Sequence, residues 1–375
     1  MPLYLTEDQV MLRDTARELM AQEGSIQNQL RKYRDMNCKD GFGHALWKQM
    51  AELGFTGILI GEADGGLGLG HVEAGIVLEE IGRNLTPSPF LISAVAVVEA
   101  LKGTPHAQRW FPGILSGDSV AALAVDEGPK HRPEAIAMRA ERSGNGFRLS
   151  GRKQFVVQGA SADVIVVVAR TDEGLTLFAV EKDAKGLEIE GVRLVDSSIG
   201  ARLDFQGVEV DSDAVIGEVG EGEALLGRVL NAGRAGAASE MVGLGSAAMG
   251  MTVDYLRQRK QFGRPIGEFQ VLQHRSAHLY SELEIARSAA LKAQQLLDAD
   301  DEAGSEEAEA MVSVAKAKAG RASTLAVQEG VQMHGGIGMT DEYDIGLYMK
   351  RDRALNELFG DANYHSDRLA RMKGY

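Results

Sequence analysis

The chain has 375 residues, of which 44% are apolar and 25% charged, so it is long enough for two or three packed regions and has the composition of an ordinary globular protein. A formal net charge of −14, with no basic stretch to offset it, excludes a general nucleic-acid or membrane-surface binder, while leaving room for a local basic pocket. The single cysteine, Cys38, excludes an intrachain disulfide and a cysteine-based metal cluster. The opening "MPLYLTEDQV" has no basic region followed by a long apolar run, and no segment approaches about 18 consecutive apolar residues. A cytoplasmic protein without membrane insertion or a metal site is therefore expected.

Residues 1–115 read as an N-terminal helical domain. In "TEDQ", Thr6 and Gln9 stand at capping-box spacing before an amphipathic run through Val10, Ala16, Leu19 and Met20. "HALWKQMAELG" places Leu46, Trp47, Met50 and Leu53 at helical spacing, with Gly54 as a C-terminal stop. "EAGIVLEEIGR" repeats the pattern with Ala74, Val77, Leu78 and Ile81. The intervening "GEADGGLGLG" imitates a nucleotide loop, but His71 stands where the third glycine of such a motif belongs, so a flexible loop is expected.

Residues 116–213 change character. "FRLSGRKQFVVQG", "DVIVVVAR", "LTLFAVEK" and "LDFQGVEV" are short, β-branched and bounded by turn residues. They predict a middle β-barrel or sandwich in which "DVIVVVAR", apolar on both faces, is a central strand. Residues 214–375 return to helix in three long segments, the first unusually rich in Gly, Ala and Ser, as suits a buried helix. The fold expected is thus α+β, mainly α: an N-terminal helical domain, a middle β domain and a C-terminal four-helix bundle.

Two stretches narrow this further. "RQRKQFGRPIGEFQ" (257–270) and "QMHGGIGMTDEYDIGLYMKRDRALNELFG" (332–360) closely resemble signatures of the acyl-CoA dehydrogenase family, and their spacing, the central β insert and the length extend the resemblance to essentially the whole chain. The resemblance implies FAD held between the β domain and the helical bundle, and oxidation of an acyl-CoA thioester to its 2-enoyl product. It gives Arg259, Phe262 and Gln270 as contacts of the ADP half of FAD, with Gln332 and Gly336 matching them across a subunit boundary. A pyrophosphate suits a guanidinium fork and close backbone approach. It also gives Asn231 and Arg234, in "NAGR", as lining the acyl-CoA site, a homodimer or homotetramer as the assembly, and an electron-transfer flavoprotein as acceptor.

The sequence departs from this pattern where the chemistry is done. In the family a glutamate takes the α-proton while a hydride leaves for flavin N5. Counted from Arg351 and Asp352, that position is Gly360, and the threonine that follows in the family is Ala362. In "AVDEGPKHRPEAI" only Asp126 and Glu127 resemble the family's Thr-Glu-Pro loop. "FVVQ" keeps Phe155 to stack on the flavin but puts Val157 where a hydroxyl would meet N5. The alternative site for the base, on the first bundle helix, is Gly233.

Two carboxylates are candidates to replace the lost base. Glu240 lies two turns beyond Gly233 and is either a general base or the partner of a bundle arginine. Asp361 is either a shorter-armed base or the cap of the last helix, "DANYHSDRLARM". His365 is expected on that helix's surface. Three readings follow: an atypical FAD-dependent acyl-CoA dehydrogenase acting on a bulky, branched, aromatic, dicarboxyl or steroid-derived acyl group; a non-catalytic subunit of a heteromeric dehydrogenase; or a flavin monooxygenase or oxidase on the same scaffold.

Overall fold

The computed structural model describes residues 3–299 and 305–375. Its first part holds α1 (Glu7–Gln22), α2 (Lys32–Asp35), α3 (His44–Glu52), α4 (His71–Asn84), α5 (Val98–Leu101) and α6 (Pro105–Leu115). The capping box expected at Thr6 opens α1: its hydroxyl accepts from the Gln9 amide, and the Gln9 side chain accepts from the Thr6 amide. α3 buries Leu46, Trp47 and Met50 and stops at Gly54, whose φ of +79° suits glycine; Leu53, at the helix end, faces solvent. The "GEADGGLGLG" loop leads into α4, but the amides of His71 and Val72 are already taken by the Asp298 carboxylate. That helix start is closed to a phosphate. The π-helical turn Phe90–Val97 is wholly buried and ties the helices to the sheet through Ser93, whose hydroxyl donates to Ala121 O and accepts from Ala121 N.

The middle part is one eight-stranded sheet: β1 (Ala121–Ala124), β2 (Arg139–Ser143), β3 (Gly146–Val157), β4 (Val164–Arg170), β5 (Leu175–Glu181), β6 (Leu187–Arg193), β7 (Ile199–Val210) and β8 (Val215–Ile216). Its order is β6-β7-β3-β2-β4-β5-β8, with β1 parallel to β4. β2 and β4 meet at the single pair Arg139–Arg170, and the sheet folds over there. Phe147, Leu149, Leu203 and Phe205 from one half then share a core with Ile165, Val167, Phe178 and Val180 from the other, as a sandwich requires. β4 is buried on both faces as expected: Ile165 and Val167 face the sheet's own core, while Val164, Val166 and Val168 face the helices.

The third part starts with α7 (Gly222–Gln258), continues through the hairpin β9 (Lys260–Gln261) and β10 (Arg264–Pro265), and follows with α8 (Gln270–Ala299), α9 (Glu306–His334), α10 (Ile345–Glu357) and α11 (Ala362–Met372). α7, α8 and α9 pack on one another, and α10 completes the bundle against α7 and α9. The small residues of α7 have a packing reason. A Cβ at Gly243 would collide with the carbonyl of Glu79, and one at Gly236 would meet Leu78 and Leu91, so α7 lies directly on α4. Among the described residues no helix is long and apolar enough to cross a membrane, and no group of His, Cys, Asp and Glu could hold a metal ion.

Candidate active site

The sheet offers one aromatic wall. The pairing of β3 with β7 shifts register between Lys153 and Val156, and Phe155 stands in that bulge with φ +53°. A non-glycine residue rarely adopts this conformation, and here it turns the ring out of the pleat into a cavity of about 250 Å³. Asp126, His131, Leu194, Gly200 and Glu357 line the same cavity. Behind it Lys153, fully buried, donates to Val125 O at 2.9 Å and to Glu127 Oε1 at 2.8 Å, which fixes the loop after β1. Val157 offers only a methyl surface, paired with Gly200.

The helical side is organised around Arg234. It is 2% exposed, and none of its acceptors is a carboxylate. Nε donates to Phe359 O at 3.3 Å, Nη1 to Asn231 Oδ1 at 3.5 Å, and Nη2 to Tyr364 OH at 3.3 Å and His131 Nε2 at 3.2 Å. Because a guanidinium can only donate, His131 Nε2 is the acceptor, and its Nδ1–H donates to Asp126, 3.0 Å away. His131 is therefore neutral: burial pushes its pKa down and the attraction of Asp126 only partly restores it. Burial also pushes Arg234 down to about 10. Among the described residues the buried Nδ2 group of Asn231 has no acceptor, an orphan beside the guanidinium.

The two positions that the resemblance gives for the base are crowded by neighbouring rings. Gly360 has φ +100°, and a Cβ there would enter the ring of Tyr364. A Cβ on Gly233 would stand 2.7 Å from the ring of Phe359. His131 meets Phe359 and Tyr364 edge to face, at centroid distances of 6.5 and 5.2 Å. The turn is held from behind by Lys316, buried in α9, which donates to Leu355 O at 3.0 Å and Gly360 O at 2.9 Å. Burial, with Arg234 nearby, pushes its ammonium down to about 7.

The candidate bases are otherwise engaged. Glu240 takes the arginine-partner role: Arg351 Nε and Nη2 both donate to its Oε1, at 2.8 and 2.6 Å, and Arg351 Nη1 donates to Asp196 at 2.8 Å. Burial raises the Glu240 pKa, partly offset by Arg351, but the carboxylate is turned to α10 and the sheet, not to the Arg234 cluster. Asp361 is a cap, accepting from the amides of Asn363 and Tyr364 at 3.0 and 2.8 Å. Burial pushes its pKa up, but these amides and Lys130 outweigh it and hold the carboxyl below its ordinary range, the wrong direction for a general base. His365, expected on the surface, is instead fully buried and donates from Nε2 to Phe359 O. The sequence reading passed over His131, Phe359, Tyr364 and Lys316. Their only signal was proximity to quoted motifs, since contacts across 103 to 130 residues leave no local pattern.

The residues expected to meet the ADP half of FAD stand elsewhere, on the outer surface. Arg259, Phe262 and Gln270 lie on and beside the hairpin after α7, and Gln332 and Gly336 at the end of α9; all five are exposed. Phe262 is 87% exposed at φ +53°, and among the described residues Arg259 has no ion-pair partner. A free guanidinium, an exposed ring and a Gly-Gly turn fit an adenosine diphosphate. The ring half of FAD fits through Phe155 alone, without a hydroxyl at position 157.

Helices before and after a folded-over sheet, an aromatic wall at their junction and an unpaired arginine on the surface among the described residues define a three-part scaffold of helices, sheet and helical bundle. The N-terminal, middle and C-terminal domains of acyl-CoA dehydrogenases match residues 6–118, 126–207 and 220–373, and the chain belongs to the acyl-CoA dehydrogenase family. It is 34% identical over 331 residues to the mitochondrial 2-methylacyl-CoA dehydrogenase of Solanum tuberosum, covering 84% of this chain and 78% of that protein. Among solved structures, a variant of the Tcur3481-Tcur3483 steroid ACAD superposes with a TM-score of 0.89 at 28% identity, over 98% of both chains. The ChsE4-ChsE5 complex from Mycobacterium tuberculosis gives 0.89 at 25% identity, over 99% of this chain and 98% of that one.

Proposed function

We propose that this chain is the base-lacking subunit of a two-chain, FAD-dependent acyl-CoA dehydrogenase acting on a bulky acyl-CoA in the cytoplasm, with an electron-transfer flavoprotein as acceptor. The observation that carries the reading is the filled space at Gly233 and Gly360, where aromatic rings stand in place of a carboxylate. Glu240 and Asp361 are committed to an ion pair and a helix cap, so neither is free to take the α-proton. The structural relatives named above are themselves a Tcur3481-Tcur3483 protein and a ChsE4-ChsE5 complex, which supports a paired assembly; the steroid named for the first supports a bulky acyl group. The hydride acceptor would be supplied by FAD when bound. This chain's own part is to present Arg259, Phe262, Gln270, Gln332 and Gly336 to a cofactor shared with a related chain that carries the base.

A second reading, a complete dehydrogenase, is favoured by one observation: the Asp126–His131 pair has a fixed tautomer and borders the Phe155 cavity. Anaerobic titration with a panel of acyl-CoAs separates the two. The purified chain is expected to leave its flavin unbleached, or to carry none, and to bleach only when co-expressed with a family chain bearing Glu-Gly-Thr. Bleaching by the chain alone would overturn the subunit reading, and its loss in His131→Gln would then favour the second.

A further inference from the structure

Arg351 sits where three parts of the molecule meet. It belongs to α10, and two of its nitrogens hold Glu240 of α7 while the third holds Asp196 in the turn between β6 and β7. Both carboxylates are nearly inaccessible, with side-chain exposures of 3% and 2%, so two buried negative charges share one guanidinium. Burial alone would disfavour the Arg351 charge, but Glu240 and Asp196 outweigh it and hold the guanidinium protonated. Asp196 has a second task. Its Oδ1 accepts from the amide and hydroxyl of Ser198, at 3.1 and 2.7 Å, which sets a turn that contains Ser197 at φ +71°.

That turn is one wall of the Phe155 cavity through Leu194, with Gly200 beside it at the start of β7, and α10 supplies another through Glu357, six residues after Arg351. A wall from the sheet and a wall from the bundle are therefore pinned to the same guanidinium. We propose that Arg351 is a positioning residue that sets the width of this cavity and makes its two walls move as one unit, so that a disturbance at Glu240 reaches the β6–β7 turn. The cavity's occupant, the flavin ring, rests on the family reading above; the coupling does not.

Two variants separate the arms of this contact. Asp196→Asn keeps Oδ1 for Ser198 but replaces the Oδ2 acceptor by an amide, which cannot accept from Arg351. Glu240→Leu, on the far side of the guanidinium and touching neither the turn nor the cavity, removes the one oxygen that accepts from both Nε and Nη2. Hydrogen exchange is measured by mass spectrometry on peptides covering 192–201 and 345–357, in chains shown by circular dichroism to be folded. Asp196→Asn is expected to speed exchange in 192–201, and Glu240→Leu to speed it in both peptides by a factor of about ten. Arg351→Lys, which keeps the charge but lacks the fork, is expected to protect α10 in part and leave 192–201 fast. Unchanged exchange at 192–201 in Glu240→Leu would overturn the coupling. A separate FAD titration tests the occupant: with exchange altered as expected, weaker FAD binding in Asp196→Asn extends the role to the cofactor, and equal binding removes the cofactor from it while the coupling stands.

Discussion

Position 360 can be described by what excludes a side chain as well as by what is missing. A φ of +100° and the Tyr364 ring against its α-carbon make Gly360 a packing contact. Replacing it by alanine is expected to cost about 1–3 kcal/mol, as a lower denaturation midpoint. Gly360→Glu is expected to be at least as destabilised and to gain no acyl-CoA oxidation; recovered turnover in that single variant would show that the site still accepts its base. Lys316, behind the same turn, makes a pH prediction. Below its folded value of about 7 it is charged folded and unfolded alike, and the cost of burying that charge is felt in full. Between there and the ordinary lysine value of 10.5 the unfolded chain alone keeps the proton, so stability rises with pH, by up to about 1.4 kcal/mol per unit. In Lys316→Met this rise should flatten in urea titrations run from pH 6 to 10; an unchanged slope would assign the rise to other groups.

At the scale of elements, caps and periodicity decide what could be read from sequence. The Thr6 capping box, the buried stripe of α4 and the two-faced strand β4 are local patterns, and each was legible because its signal spans fewer than about a dozen residues. Asp361 was legible in the same way: both of its roles were open from the sequence, and the geometry gives it the cap. Asp361→Ala should therefore cost about 1 kcal/mol of stability, while Asp361→Asn, which still caps, should cost little. A carboxylate needed for proton transfer would show the opposite profile in the assembled enzyme, with both variants inactive. What the sequence could not reveal is how elements meet. Glu240 pairs with Arg351 across 111 residues, and Arg234 finds His131 across 103. A lone carboxylate among small residues therefore reads as either a base or a partner, since the deciding guanidinium arrives from another helix.

For the whole molecule, the main feature is a separation of surfaces. The space around Arg234 is closed by the chain's own side chains, while the groups suited to an adenosine diphosphate stand exposed on the hairpin after α7 and at the end of α9. On the proposed reading, a chain that keeps the second set and fills the first serves a cofactor it does not itself reduce. Arg259 distinguishes this from ordinary surface decoration, because it is exposed and has no ion-pair partner among the described residues, so its removal leaves no buried charge behind. Arg259→Ala should leave the melting temperature of the isolated chain unchanged. In the assembled enzyme it should remove a charge-assisted contact worth about 1.5–3 kcal/mol, weakening FAD retention by one to two orders of magnitude on about that scale. Flavin absorbance per complex after gel filtration measures the loss. Full occupancy in Arg259→Ala would mean that the hairpin does not reach the cofactor, and the subunit reading would lose its contribution from this chain.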